Sequence, residues 1–185
     1  MRNVIVTIEG ISPYSQSKHH TTPKEGQETA DAHERRTWRN RMHTDSAGRV
    51  TIPPMAFKNG LVSAAKFLGL KIKGAGNKTY TKRFESGVLC MEPMTLDVLA
   101  ADVPAEELFV PSDGVRGSGK RVTKLFGKID AWGGSVPIVV IDEALTTEIV
   151  EQHLEAMGMY IGLGRFRPEK NGFYGRFAIK RTDWS

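Results

Sequence analysis

Two apolar stripes at helical spacing, each bracketed by β-branched runs, leave this chain few ways to fold. Phe57, Leu61, Ala64 with Ala65, and Leu68 recur on one helical face. That helix opens at Pro53-Pro54, where a first turn tolerates proline, and Gly69 is its stop signal. The second stripe passes through Leu145, Ile149 with Val150, Leu154 and Met157, and predicts a helix over 143–157 closed by Gly158. Strand patterns lie over 3–9 (Asn-Val-Ile-Val-Thr-Ile-Glu), 87–93, 135–142 and 174–181. The order is strand, helix, strand, strand, helix, strand. That order is the split βαβ pattern, an α+β ferredoxin-like core.

Two long excursions decorate the core. The first, at about 11–49, is polar and has little apolar periodicity; loops of this length inside a domain are usually functional or disordered. Its middle, 30–41, reads as a short helix carrying Arg35, Arg36, Arg39 and Arg41 around Trp38. That combination suits phosphate contact and base stacking; the alternative is a solvated helix with Trp38 tucked into the core. The second excursion, about 95–132, opens irregularly and then turns basic and glycine-rich. It reads as a hairpin or thumb-like insertion with Arg116, Lys120, Arg121 and Lys124 as its contacts. Between the first helix and the second strand, 71–83 reads as a basic, glycine-bearing loop. With these insertions the whole of 1–185 fits one domain.

The segment 159–180 concentrates Gly162, Gly164, Gly172 and Gly175 among Arg165, Phe166, Arg167, Phe173, Tyr174, Arg176 and Phe177. Glycine allows a backbone to approach another surface closely. Arginine forks match phosphate and aromatic faces accept bases. The alternative is a structural loop whose aromatics fill the core.

The net charge of +5 suits a polyanionic partner without requiring one. A single cysteine, Cys90, excludes an internal disulfide and a cysteine-based zinc site, and suits a reducing, cytoplasmic setting. No apolar run is long enough to span a membrane. Gly114-Val-Arg-Gly-Ser-Gly-Lys-Arg nearly spells a P-loop, but Arg121 stands where the metal-binding Ser or Thr belongs. Gly162-Leu-Gly164 begins a dinucleotide fingerprint that Arg167 breaks. His19, His20, His33 and His43 share the first excursion with Asp31, Glu34 and Asp45, at no metal-binding spacing. They leave open an endoribonuclease that works by general acid–base chemistry. No cofactor or metal motif is present.

The residues Val50-Thr-Ile-Pro-Pro-Met-Ala-Phe-Lys-Asn-Gly-Leu-Val-Ser-Ala-Ala-Lys resemble the "strand, Ile-Pro-Gly-Ser-Ser-Leu-Lys-Gly, helix" signature of RAMP proteins. These are the RNA-binding backbone subunits of CRISPR effector complexes. Pro54-Met55 departs from the small Gly-Ser pair, whereas Lys58 and Gly60 match. Gly-Leu-Gly-Arg-Phe-Arg-Pro through Gly-Phe-Tyr-Gly-Arg-Phe resembles the family's glycine-rich loop. The element order agrees with its RRM-like core, and a compact, solitary member suits a phage or prophage. The resemblance implies a protein that binds single-stranded RNA or DNA and associates with itself along the strand; some family members cleave RNA with an aspartate in the loop after the first strand, but no motif aligns Asp31 with it, so the expectation is a non-catalytic protein. The resemblance also implies that Lys58 faces the nucleic-acid backbone and that 162–175 lies against it, with the second excursion placed as a thumb. The expected contacts are therefore Arg35, Arg36, Arg39, Arg41, Lys58, Arg116, Lys120, Arg121, Arg165 and Arg167, with Trp38 and Phe166 stacking. A protein-interaction module that mimics or joins an effector complex, as a phage inhibitor would, is the competing class.

Overall fold

The computed structural model describes every residue except 113, 114, 116 and 118. In chain order the elements are β1 (Arg2–Gly10), α1 (Ala30–Thr37), β2 (Arg49–Ile52), α2 (Pro54–Leu68), α3 (Thr81–Gly87), β3 (Val88–Leu89), β4 (Met94–Leu99), β5 (Ala105–Pro111), β6 (Arg121–Gly127), β7 (Gly133–Val140), α4 (Thr147–Ala156) and β8 (Phe177–Trp184). One turn of 3-10 helix, Trp38–Arg41, continues α1, and a π turn, Met157–Ile161, continues α4.

The main sheet has the order β3-β7-β1-β8, with every neighbouring pair antiparallel. Counting only the strands of the split βαβ unit, this is the ferredoxin-like order, and the fold is α+β as the periodicity predicts. The β-branched run of β1 alternates: Val4, Val6 and Ile8 are buried, and Val136, Ile138 and Val140 of β7 join them in the core. The stripes of α2 and α4 (Phe57, Leu61, Val150, Leu154) complete that core. Gly60 lets α2 approach the π turn, because a Cβ there would overlap the Met157 side chain. Each such fully buried aliphatic or aromatic side chain contributes about 1.5–3 kcal/mol. The opposite face of the sheet is open, with Ile5 exposed on it.

Two smaller ladders sit on this frame. β2 pairs with β4, and β5 pairs with β6 from Ala105↔Gly127 to Pro111↔Arg121. The segment expected to be irregular after residue 95 thus contains β4 and β5; Met94 and Leu96 alternate into the core. The expected second core strand, 87–93, is only Val88–Leu89: α3 takes Gly87, and 90–93 leave the ladder after Leu89 pairs with Val139. With Phe84 as its one large buried side chain, α3 shows no stripe in the sequence. The closing helix does not stop at Gly158: the π turn carries it to Gly162, whose φ of 72° ends it. The last strand starts at Phe177 rather than Tyr174, because Tyr174 and Gly175 belong to the preceding loop.

Candidate nucleic-acid interface

The first excursion is tied down at its start. Tyr14 is buried and exchanges both backbone hydrogen bonds with Ile129, at 2.8 and 2.9 Å. The buried Gln16 amide donates to the Thr51 carbonyl at 2.7 Å and accepts from the His43 N–H at 2.6 Å. The Arg165 N–H donates to the Ser15 carbonyl at 2.8 Å. Residues 14–18 therefore lie between β2 and the glycine-rich loop. Beside them opens a cleft of about 390 Å³. One wall is the α2 row Ala56, Asn59, Gly60 and Ser63; another is Gly162–Gly164; Lys18 and His43 lie at the margin. The two segments that carried the family resemblance thus line one cleft.

The glycine-rich loop is closed by its own backbone. The Leu163 N–H donates to the Gly175 carbonyl at 2.9 Å, and the Tyr174 N–H to that of Phe166 at 3.0 Å. Gly175 is required here: its φ is 72°, and a Cβ would overlap the Leu163 carbonyl. Phe166 itself has φ of 56°, rare for a bulky residue. Its ring is half exposed and meets Phe173 and Tyr174 edge to face. The Arg167 guanidinium donates to Glu169 at 2.6 and 3.0 Å and to the Gly164 carbonyl at 3.1 Å. The Ser63 hydroxyl donates to the same carboxylate at 2.7 Å, joining the loop to α2. Burial opposes ionisation of Glu169, but Ser63 and Arg167 outweigh it and hold its pKa below the usual range. His43 is pushed below the ordinary imidazole value by burial and by the Lys18 charge.

Most of the arginines expected to meet phosphate meet carboxylates instead. Glu34, 3% exposed, accepts from both terminal nitrogens of Arg41 (2.6 and 3.0 Å), from Lys124 (3.0 Å) and from the Leu125 N–H (2.9 Å). Arg165 pairs with Glu106 at 2.8 Å, and the Tyr174 hydroxyl donates to that carboxylate. Arg165 also stacks 4.0 Å from the centre of the Phe126 ring, which Arg41 approaches at 5.5 Å. Arg35 pairs with Asp31 and Glu107, and Arg36 with Glu25 and Glu28. Four sequence-distant segments do meet: α1 with its 3-10 turn, β5, β6 and the glycine-rich loop. Carboxylates supplied by the protein hold them together.

The remaining expectations divide. Trp38 is 4% exposed and belongs to the core, so the expected stacking role is corrected: neither face of its indole is open to a base. The Arg39 guanidinium lies 4.3 Å over that ring and donates to the Ala101 carbonyl. Lys58 does not face the cleft. Its ammonium donates to the carbonyls of Phe84 and Val88, closing the end of α3. Lys120 and Arg121 are exposed, with Arg121 5.8 Å from the Phe109 ring. Arg116 lies outside the described residues. β6 begins at Arg121 as a strand, so no helix follows the P-loop-like run. His33 bonds the Thr22 carbonyl and His20 the Thr22 hydroxyl. Among the described residues no cluster of His, Cys, Asp and Glu is arranged to hold a metal ion, and no helix is long and apolar enough to cross a membrane.

Two exposed residues gain importance only in three dimensions. Lys18 lines the α2 cleft and also a second cleft of about 600 Å³, edged by His20, Arg39, Asn40 and Ala101. Phe109 is 64% exposed on the hairpin. A lone lysine in a polar loop and one phenylalanine in a strand carry no distinguishing signal in sequence.

No protein-family model and no curated protein sequence matches the chain. Among solved structures, a chain of a CRISPR RNA-guided surveillance complex aligns over 98% of this chain and 68% of its own length, at 11% identity and a TM-score of 0.45. The crystal structure of Cmr6 from Pyrococcus furiosus aligns over 97% of this chain and 99% of that one, at 12% identity and a TM-score of 0.51. At such identity the likeness is one of fold: the chain shares the ferredoxin-like α+β architecture of Cmr6 over nearly its whole length.

Proposed function

We propose that this chain is a RAMP-type, non-catalytic protein that binds single-stranded RNA or DNA in the cleft between α2 and the glycine-rich loop. One observation carries the reading: the two segments that resemble the RAMP signatures line one cleft together. The fold likeness to Cmr6 supports it. Lys18, exposed and lining the cleft, supplies the charge that meets phosphate, and the half-exposed Phe166, between the cleft-lining Arg165 and Arg167, supplies a stacking face beside it. The open face of the sheet is a poorer site. Its central positions, Ile5, Thr7, Ser135, Pro137 and Val139, include no aromatic on which a base would stack. Association along the strand, or with the subunits of an effector complex, belongs to the same proposal.

The test is a filter-binding titration with short single-stranded RNA and DNA at several salt concentrations. Affinity should fall with salt by about 0.7 log units per phosphate contact, and Lys18→Ala should reduce that slope by about 0.7. Absent binding at low salt would overturn the reading and favour a protein-interaction module. Cleavage of the RNA that His43→Ala abolishes would overturn its non-catalytic part.

A further inference from the structure

We infer that Phe67 and Tyr160 form a base-stacking platform at the far end of the α2 cleft. The inference rests on the nucleic-acid reading above and adds a site to it.

At 100° per residue, Ala56, Asn59, Gly60, Ser63 and Phe67 fall in one narrow stripe along α2. The first four line the cleft, and Phe67 continues the row one turn on from Ser63. From Ala56 to Phe67 the stripe covers about 16 Å at ~1.5 Å per residue. That length matches about five nucleotides at ~3.4 Å each. The Phe67 ring stacks on Tyr160, with centroids 4.9 Å apart and planes at 25°. Both side chains are more than half exposed, at 57% and 54%. What sets this pair apart from the other exposed apolar side chains is its near-parallel stacking, which a base can extend.

The backbone places the pair deliberately. Tyr160 stands in the π turn, immediately before the cleft-lining Ile161 and Gly162. Insertions of this kind recur at functional sites. Arg176 fixes the turn against the glycine-rich loop by donating to the carbonyls of Met159 and Phe173. On the cleft side, Ser63 binds Glu169, one residue before the exposed Lys170, and the exposed Lys66 precedes Phe67. These exposed ammonium groups are the charges available to the phosphates of a strand that stacks on the rings. A purely apolar partner would leave those charges to be desolvated without partners, at a cost.

The experiment compares wild-type protein, Phe67→Ala/Tyr160→Ala and Lys18→Ala. The probes are short RNA and DNA oligonucleotides carrying 2-aminopurine, whose fluorescence is quenched by stacking. Thermal melts confirm folding, and Phe67→Leu/Tyr160→Leu provides a second, apolar variant without rings. Both ring-less variants should bind about five- to hundredfold more weakly with an unchanged salt slope, and 2-aminopurine quenching should be lost. Lys18→Ala should change the slope and keep the quenching. Wild-type binding with unaltered affinity and quenching in the ring-less variants would overturn the platform and leave the cleft reading intact. Loss of self-association alone in those variants would overturn it in favour of a protein contact. If the wild-type protein binds no oligonucleotide, the cleft reading fails, and the platform fails with it.

Discussion

Replacing Glu34 by glutamine should cost far more than its position on an eight-residue polar helix suggests. The side chain is buried and receives four donors, two from Arg41, one from Lys124 and the Leu125 N–H. Glutamine keeps the shape but removes the charge and one acceptor oxygen. Lys124 is 37% exposed and can turn to water, whereas Arg41 is 13% exposed and cannot. The loss is therefore that of a buried cation deprived of its partner, about 3–4 kcal/mol. For a chain of this length that lowers Tm by about 6–16 °C. Glu107→Gln is the control, because the Glu107–Arg35 pair is half exposed on both sides, 53% and 52%, and should cost about 1 kcal/mol or less. Acidification gives a second readout. Burial raises the proton affinity of Glu34, but Arg41, the Leu125 N–H and Lys124 outweigh it, so its pKa lies below the usual value. A depressed folded pKa contributes stability that is complete above the ordinary glutamate value, about 4.3. It is lost as pH falls through the folded value, so Glu34→Gln should flatten the acid limb of the stability curve. Urea melts across pH measure both effects. Equal destabilisation by the two substitutions would refute the cross-link argument.

Further outcomes follow from the same contacts. His153 is fully buried against Phe84; burial holds its pKa below 6.5, although the Ile149 carbonyl opposes this. The unfolded chain then binds the proton more readily, so stability is complete above that value and falls as pH drops below it. The slope is at most about 1.4 kcal/mol per pH unit, and urea melts of His153→Leu should lack it. Trp38→Ala should cost about 3–5 kcal/mol as a core truncation while leaving oligonucleotide affinity unchanged at temperatures where the variant is folded; a selective loss of binding would restore the stacking role. Gly175→Ala should destabilise by more than about 1 kcal/mol and weaken oligonucleotide binding, because its left-handed φ and the Leu163 carbonyl leave no room for a Cβ. Calorimetry and filter binding read the two effects separately.

The sequence signals that held were those of local origin. The stripes of α2 and α4 and the alternation of β1 follow from side-chain periodicity, which needs no knowledge of partners. α3 escaped because two turns with a single anchor, Phe84, make no stripe. β4 was passed over although Met94, Leu96 and Val98 alternate; its neighbours read as irregular. The walls of the cleft were legible as segments, but Lys18 was not, since nothing distinguishes it from other lysines until Gln16 ties its loop to β2.

By itself the sequence determined the order of the core strands and the two long helices, and with it the ferredoxin-like pattern, because each choice depends on residues within a few positions of one another. Only the tertiary structure decided what the charges do. Arg41 and Lys124 share Glu34 although 83 positions separate the two cations, and Arg165 finds Glu106 across 59. An arginine binds whichever anion the fold brings within reach, and that distance is written in the packing of the whole chain rather than in its neighbours.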